Sequence, residues 1–182
     1  MKYYKVKLAC RLENGVYYHD QNKFKYKLED IKKALDKPKT RELFDSNNTF
    51  LYVVSSTEVK SMNNFDMKNA CARVTSISLD KGYAEVMCNR DTYPMSNIFM
   101  DNLDKIAIGL ITVGEFDKED KDGYMKYTPT DFISFQLVID GAAHAPAELI
   151  AEDYEGTVYG NSAIPAIDED EKRMMDKIRK ED

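Results

Sequence analysis

The chain has 182 residues, with 26 Lys and Arg against 32 Asp and Glu and a formal net charge of -6. That length suits one domain with a sizeable core. The acidic balance, spread along the chain, argues against a dedicated nucleic-acid surface, which needs concentrated positive charge. No stretch approaches the roughly 20 apolar residues of a membrane-spanning helix. The first residues, Met1-Lys2-Tyr3-Tyr4-Lys5-Val6, lack the apolar centre of a secretion signal, so an intracellular protein with no membrane partner is expected.

In chain order, residues 2 to 12 alternate well enough for a strand, and Asn14-Gly15 is a strong two-residue turn signal before a second strand at Val16-Tyr17-Tyr18. The chain therefore opens with a hairpin. Leu28, Ile31, Ala34 and Leu35 fall at helical spacing, which predicts a short amphipathic helix over 27–36. Pro38 interrupts it, and a further helical turn follows over 39–44. The Lys-rich run from Lys23 to Lys39 is interleaved with acids and reads as a solvated face. Phe50 to Val54 is a β-rich apolar run that suits a buried strand.

Ala70–Leu79 and Tyr83–Cys88 read as two strands joined at Asp80-Lys81-Gly82. On the first, Val74, Ser76 and Ser78 are expected on one face and Arg73, Thr75, Ile77 and Leu79 on the other. Asp91 or Thr92 is placed to cap a helix with Pro94 near its first turn and an apolar face of Met95, Ile98, Phe99 and Leu103. The most apolar strands, over 106–113 and 132–139, should be central. From Ala147 to Pro165 no element is expected. Residues 167–181 place acids first and bases later, which suits the dipole of an exposed, charged C-terminal helix. Its thin apolar stripe, Met174, Met175 and Ile178, is the candidate docking handle. The fold class that follows is α+β. It is a β-rich single domain with a mostly antiparallel sheet and a few short helices. The domain spans 1–146, with an extended linker and charged segment over 147–182.

The chemistry-bearing residues are sparse. Cys10, Cys71 and Cys88 are odd in number and far apart, so they read as reduced thiols. A hydrolytic dyad needs a base beside its nucleophile. The two histidines do not supply it. His19 is expected in an exposed polar turn and His144 in a loop of small residues. No zinc spacing is present, and Asp117–Gly123 lacks the ligand spacing of a calcium loop, so neither a metal nor a cofactor is expected. Gly109-x-x-x-x-Gly114 has no Lys-Ser/Thr after it and is not a phosphate loop. Asp66, Asp80, Glu85, Asp91 and Asp101 leave open a carboxylate pair. The tyrosines Tyr3, Tyr4, Tyr17, Tyr18 and Tyr26 read as packing in a β-rich domain.

From Phe50 to Pro146 the chain resembles the phage prohead (capsid maturation) proteases, the assemblin-like family. The hairpin Cys71–Val86 is similar to the family's "Ser-His-Arg-Ile-Thr, apolar, acidic turn, apolar". Thr92-Tyr93-Pro94-Met95-Ser96-Asn97-Ile98 is similar to its "Thr-Pro-x-Gly-x-Ile", with one residue inserted and the glycine replaced. Gly109-Leu110-Ile111-Thr112-Val113-Gly114 stands where the family has "Gly-Val-Ser-Ser-Arg-Gly". Asp131–Asp140 matches its "Asp-Phe-x-Leu-x-x-x-Asp-x-Val" strand. The resemblance implies a protease fold without its chemistry. The serine position holds Ile111, with Thr112 beside it, the histidine position holds Ala72, and the oxyanion arginine corresponds to Val113. It further implies a catalytically inactive protein. Such a protein would bind capsid, portal or prohead protease components in the host cytoplasm or virion interior, as scaffold, cargo or protease inhibitor, or as a homo-oligomer. Two alternatives stay open: a small α+β module that inhibits a host protein, and a weak hydrolase using Thr112 or His144.

Overall fold

The computed structural model describes residues 1–54, 66–141, 143–154 and 157–160. It is strand-rich, with a curled, mostly antiparallel sheet and a few short helices. Among the described residues eleven strands join one sheet: β1 (Lys2–Lys7), β2 (Arg11–Glu13), β3 (Val16–His19), β4 (Phe24–Lys27), β5 (Phe50–Tyr52), β6 (Ala70–Ser78), β7 (Tyr83–Cys88), β8 (Ile106–Glu119), β9 (Met125–Ile139), β10 (Glu148–Tyr154) and β11 (Thr157–Gly160). The helices are α1 (Leu28–Leu35), α2 (Pro38–Asp45) and α3 (Ser96–Asp101), with one 3-10 turn at Met67–Asn69. No described helix is long and apolar enough to cross a membrane. The predicted C-terminal helix and its stripe Met174, Met175 and Ile178 lie outside the described residues.

The opening hairpin forms where its turn signal stands. Asn14 and Gly15 both have positive φ, at 51° and 75°, as a type I′ turn requires, and they join β2 to β3. The single strand expected over 2–12 is instead two strands at distant places in the sheet. β1 runs between β7 and β10, while β2 ends the opposite edge. The break at Leu8–Cys10 has a backbone cause. The Leu8 amide donates to Gly82 O at 3.0 Å, and the Ala9 amide donates to Ile108 O at 2.8 Å. Leu8 thereby bridges in parallel to Ile108. That bridge joins the ends of the run β1-β7-β6-β5-β9-β8 into a ring.

The ring encloses the main core. Tyr4, Val6, Leu8, Leu51, Ala72, Val74, Val86, Ile106, Ile108 and Phe135 belong to one buried cluster, to which α1 adds Ile31 and Ala34 and α3 adds Phe99. α1 carries Glu29 and Asp30 in its first turn and Lys32 and Lys33 in its last, matching the helix dipole. α2 begins with Pro38, whose missing N–H costs nothing in a first turn. α3 begins later than Asp91 or Thr92 would place it. The Ser96 hydroxyl accepts from the Tyr93 amide at 2.8 Å and donates to Cys71 O at 3.2 Å, so it holds the bend that precedes the helix.

The alternation expected on β6 slips once. A bulge between Val74 and Ser76 leaves Thr75 unpaired, so Val74 and Ile77 share the core face opposite Val86 and Ala84. Ser76 and Ser78 move to the outer face, opposite Glu85 and Tyr83. Of the two strands expected to be central, β9 is, pairing with β4, β5 and β8, whereas β8 branches off the strand order with β9 as its strand partner. The β8–β9 pair runs well beyond its predicted ends, to Glu119 and Met125. Its tip is held against β4 by Lys25, whose Nζ lies 2.7 Å from both Asp120 and Asp122. Lys32 pairs with Asp80 and Lys37 with Asp131, so three lysines of the basic run have acidic partners. In the stretch where no element is expected, β10 adds antiparallel to β1, with Lys5 opposite Glu148.

Candidate functional site

The positions that the resemblance singles out lie on β6 and β8. Ala72 is fully buried and pairs with Leu51 of β5, which pairs with Phe135 of β9, which pairs with Leu110 of β8. That row faces the core. Ile111, one residue on, takes the other face by the two-residue strand period. There it packs in a satellite cluster with Tyr52, Val54 and Ala70, flanked by Phe50, Tyr93 and Ile133. Ala72 and Ile111 are therefore not brought together around a common point.

Thr112 follows a second bulge, where Ile111 pairs with Ser134 and Thr112 with Phe132. Its Oγ1 lies 2.9 Å from the Tyr127 hydroxyl. Burial raises the Tyr127 phenol above its ordinary value, and the bond to Thr112 pulls back only in part. A phenol held in its neutral form is a poor acceptor for a nucleophile's proton. Val113 is 37% exposed, and its side chain carries no donor for an oxyanion where the resemblance has an arginine. Gly114 is needed for packing: a Cβ there would stand 2.2 Å from Thr128 O and 2.7 Å from the Tyr127 ring.

Neither histidine supplies a base to this region. His19 was expected in an exposed turn, yet it ends β3, half-buried, with its ring stacked on Phe24 at 4.6 Å. Its Nδ1 accepts from the Asn22 amide at 3.1 Å, and burial lowers its pKa. His144 is exposed and its Nδ1 lies 2.6 Å from Gly141 O. The cysteines are free. Burial raises all three thiols, Cys10 to about 11, and Cys88 Sγ donates to Cys71 O at 3.1 Å. A thiol held protonated is inert as a nucleophile. Among the described residues no group of three His, Cys, Asp or Glu is placed to hold a metal ion.

The five carboxylates also disperse. Asp80 pairs with Lys32 and Asp101 with Arg90, each at 2.7 Å, and Asp66 accepts from the Lys68 amide. Asp91 is exposed. Glu85 differs from the rest, being 2% exposed on the outer face of β7. It stands opposite Ser76 on one side and Lys5 on the other, and the Ser76 hydroxyl lies 3.5 Å from its Oε2. Burial pushes its carboxyl up to about 7, against the weaker pull of Ser76 and Lys5. Strand alternation carried a signal for it: Ala84 and Val86 are apolar, so the acid between them must face away from the core.

The tyrosines mostly pack. Tyr17 is fully buried, stacks on Tyr26 and donates its hydroxyl to Leu79 O. Near the β8–β9 tip the rings of Phe24, Phe116 and Tyr127 form a cluster whose outermost member, Phe116, is 58% exposed. No family model, curated protein or solved structure matches the chain.

Proposed function

We propose that the chain is a catalytically inactive, prohead-protease-like protein that acts by protein binding in phage head assembly, as scaffold or cargo component or as an inhibitor of an active protease. The observation that supports inactivity is the use made of the three positions. Ala72 fills the main core, Ile111 fills a satellite cluster on the opposite face, and the Thr112 hydroxyl is bonded to a neutral phenol. A Ser/His mechanism needs nucleophile and base within hydrogen-bond reach, and side chains on opposite faces of a sheet do not meet that condition. Exposed Phe116, backed by the rings of Phe24 and Tyr127, offers the kind of rigid aromatic contact that protein interfaces favour.

The test is a pull-down of the tagged full-length chain from producing cells, with mass spectrometry of what accompanies it. Recovery of capsid, portal or protease proteins is the expected result. Recovery of one host protein and no virion component overturns it in favour of a host-directed inhibitor. Self-cleavage of a purified, ageing sample overturns inactivity itself and returns attention to Thr112.

A further inference from the structure

Away from these positions, the outer face of β1 and β7 carries an open groove of about 380 Å³ lined by Lys5, Lys7, Lys81, Tyr83, Pro146 and Glu148. Its lysines converge because of strand geometry. Lys5 and Lys7 are two residues apart on β1 and so share a face. They stand opposite Glu85 and Tyr83 of β7. Lys81 sits in the β6–β7 turn. That turn is clamped by the Gly82 amide donating to Ser78 O at 2.9 Å and by Gly82 O accepting from Leu8. The Lys5 ammonium lies 4.2 Å from the Tyr83 ring centroid.

The charge in the groove is not balanced. Lys5, Lys7 and Lys81 have no carboxylate within 4.0 Å among the described residues, in contrast to Lys25, Lys32 and Lys37. Glu148, opposite Lys5 on β10, is the one carboxylate in the lining. Three ammonium groups less one carboxylate leave two positive charges while buried Glu85, opposite Lys5 with its carboxyl raised to about 7, keeps its proton, in a chain whose net charge is -6. A dianion matches that remainder, and a monocarboxylate does not. Tyr83 and Pro146 add an apolar wall. The volume exceeds that of a bare oxyanion and falls within the range of small-molecule sites, roughly 300–1,000 Å³.

We propose that this groove is a binding site for a small phosphate monoester, its dianionic phosphate held by Lys5, Lys7 and Lys81 and its organic part against Tyr83 and Pro146. The site is independent of the head-assembly reading, and its test reads the purified chain alone. The ¹⁵N-labelled full-length protein is titrated with phenyl phosphate and, separately, with inorganic phosphate at low ionic strength and about pH 6.5, above the second pKa of a phosphate monoester at about 6 and below the Glu85 carboxyl at about 7, with each affinity referred to the dianion concentration. Saturable shifts confined to amides near Lys5–Lys7 and Lys81–Tyr83 are expected, with phenyl phosphate the tighter ligand. Added salt should weaken both, because the contacts are between exposed charges.

The double variant K7Q/K81Q should weaken phenyl phosphate about tenfold, since it removes two of the three ammonium groups that hold the dianion and each exposed charge pair contributes modestly. Both lysines are exposed, so the fold should survive, and the spectrum itself reports this. K121Q, at the exposed β8–β9 tip, should leave the affinity unchanged. Non-saturating shifts, shifts spread over all lysine-bearing segments, or equal affinity in K7Q/K81Q would overturn the site. Equal affinity for phenyl phosphate and inorganic phosphate would overturn the ester assignment.

Discussion

Ala72 and Ile111 lie on opposite faces of one curled sheet, the first in the main core and the second in the satellite cluster of Tyr52, Val54 and Ala70. Placing the residue types of a Ser/His hydrolase at these positions should therefore create no activity. In A72H/I111S, the histidine overpacks a fully buried site at a cost of about 1–3 kcal/mol. The serine removes a buried aliphatic side chain at about 2–4 kcal/mol. A clear loss of urea midpoint is expected, with no cleavage of the chain or of an activated ester above the uncatalysed rate. Any turnover in a folded double variant would contradict the separation of the two side chains.

The two glycines of Gly109-x-x-x-x-Gly114 differ in what they permit. A Cβ at Gly114 would collide with backbone, Thr128 O at 2.2 Å, whereas one at Gly109 would meet the Val138 side chain at 3.4 Å. G114A must force β8 and β9 apart and should cost more than about 2 kcal/mol, within the range of overpacking. G109A should lie within about 1 kcal/mol of wild type, helped by the lower entropy of the unfolded chain. Chemical denaturation of the two variants side by side checks this, and comparable stability would show that the hairpin relaxes freely at residue 114.

The Thr112 and Tyr127 hydroxyls join a resemblance position to the opposing strand side chain to side chain, at 2.9 Å. Removing either hydroxyl should cost about 0.5–1.5 kcal/mol. In a double-mutant cycle of T112V and Y127F, most of that cost should appear as coupling, because each single change leaves the other hydroxyl without its partner. Strictly additive single effects would mean that both hydroxyls are satisfied by water instead.

What was legible in the sequence was local. Asn14-Gly15 and Asp80-Lys81-Gly82 make their turns through positive φ, at Asn14, Gly15 and Gly82, and the apolar runs after Lys105 and Asp131 do pair with each other, although only the second is central in the sheet. What was not legible depends on partners far along the chain. The strand ends after Lys7 because the Leu8 and Ala9 amides find Gly82 O and Ile108 O. The β6 alternation fails because one unpaired residue, Thr75, shifts the phase of everything after it. The outer half of β8–β9 is charged, so no apolar period marks it, yet its backbone pairing with β9 and the Lys25 clamp extend it. At the candidate site, the residue types at 72, 111 and 113 could be read directly. That Ala72 and Ile111 face apart required the register across four strands. Lys5 and Lys7 carried a signal in their two-residue spacing, whereas Lys81 joins them only through the clamped turn.

Glu85 makes the pH dependence of stability testable. Its folded pKa is raised from the ordinary 4.5 to about 7, chiefly by burial. Below pH 4.5 both folded and unfolded chains hold the proton, and Glu85 has no differential effect. Between about 4.5 and 7 the unfolded chain releases its proton while the folded chain keeps it, so stability falls as pH rises through that window. Above about 7 both are ionised and the cost is constant, on the order of 1–3 kcal/mol. Other groups work in the opposite sense. His19, lowered by burial, costs stability as pH falls below 6.5, and Asp120, held down to about 2 by Lys25, does so only in strong acid. The difference between E85Q and wild type isolates Glu85 from both. E85Q keeps the shape and an acceptor for Ser76 but cannot ionise. It should match wild type within about 0.5 kcal/mol at pH 4.5 and exceed it by about 1–3 kcal/mol at pH 8. Urea midpoints across that range supply the measurement. A difference that stays flat with pH would mean that Glu85 ionises in the folded chain as easily as in water, and that the polar row of Ser76, Glu85 and Lys5 is solvated rather than buried.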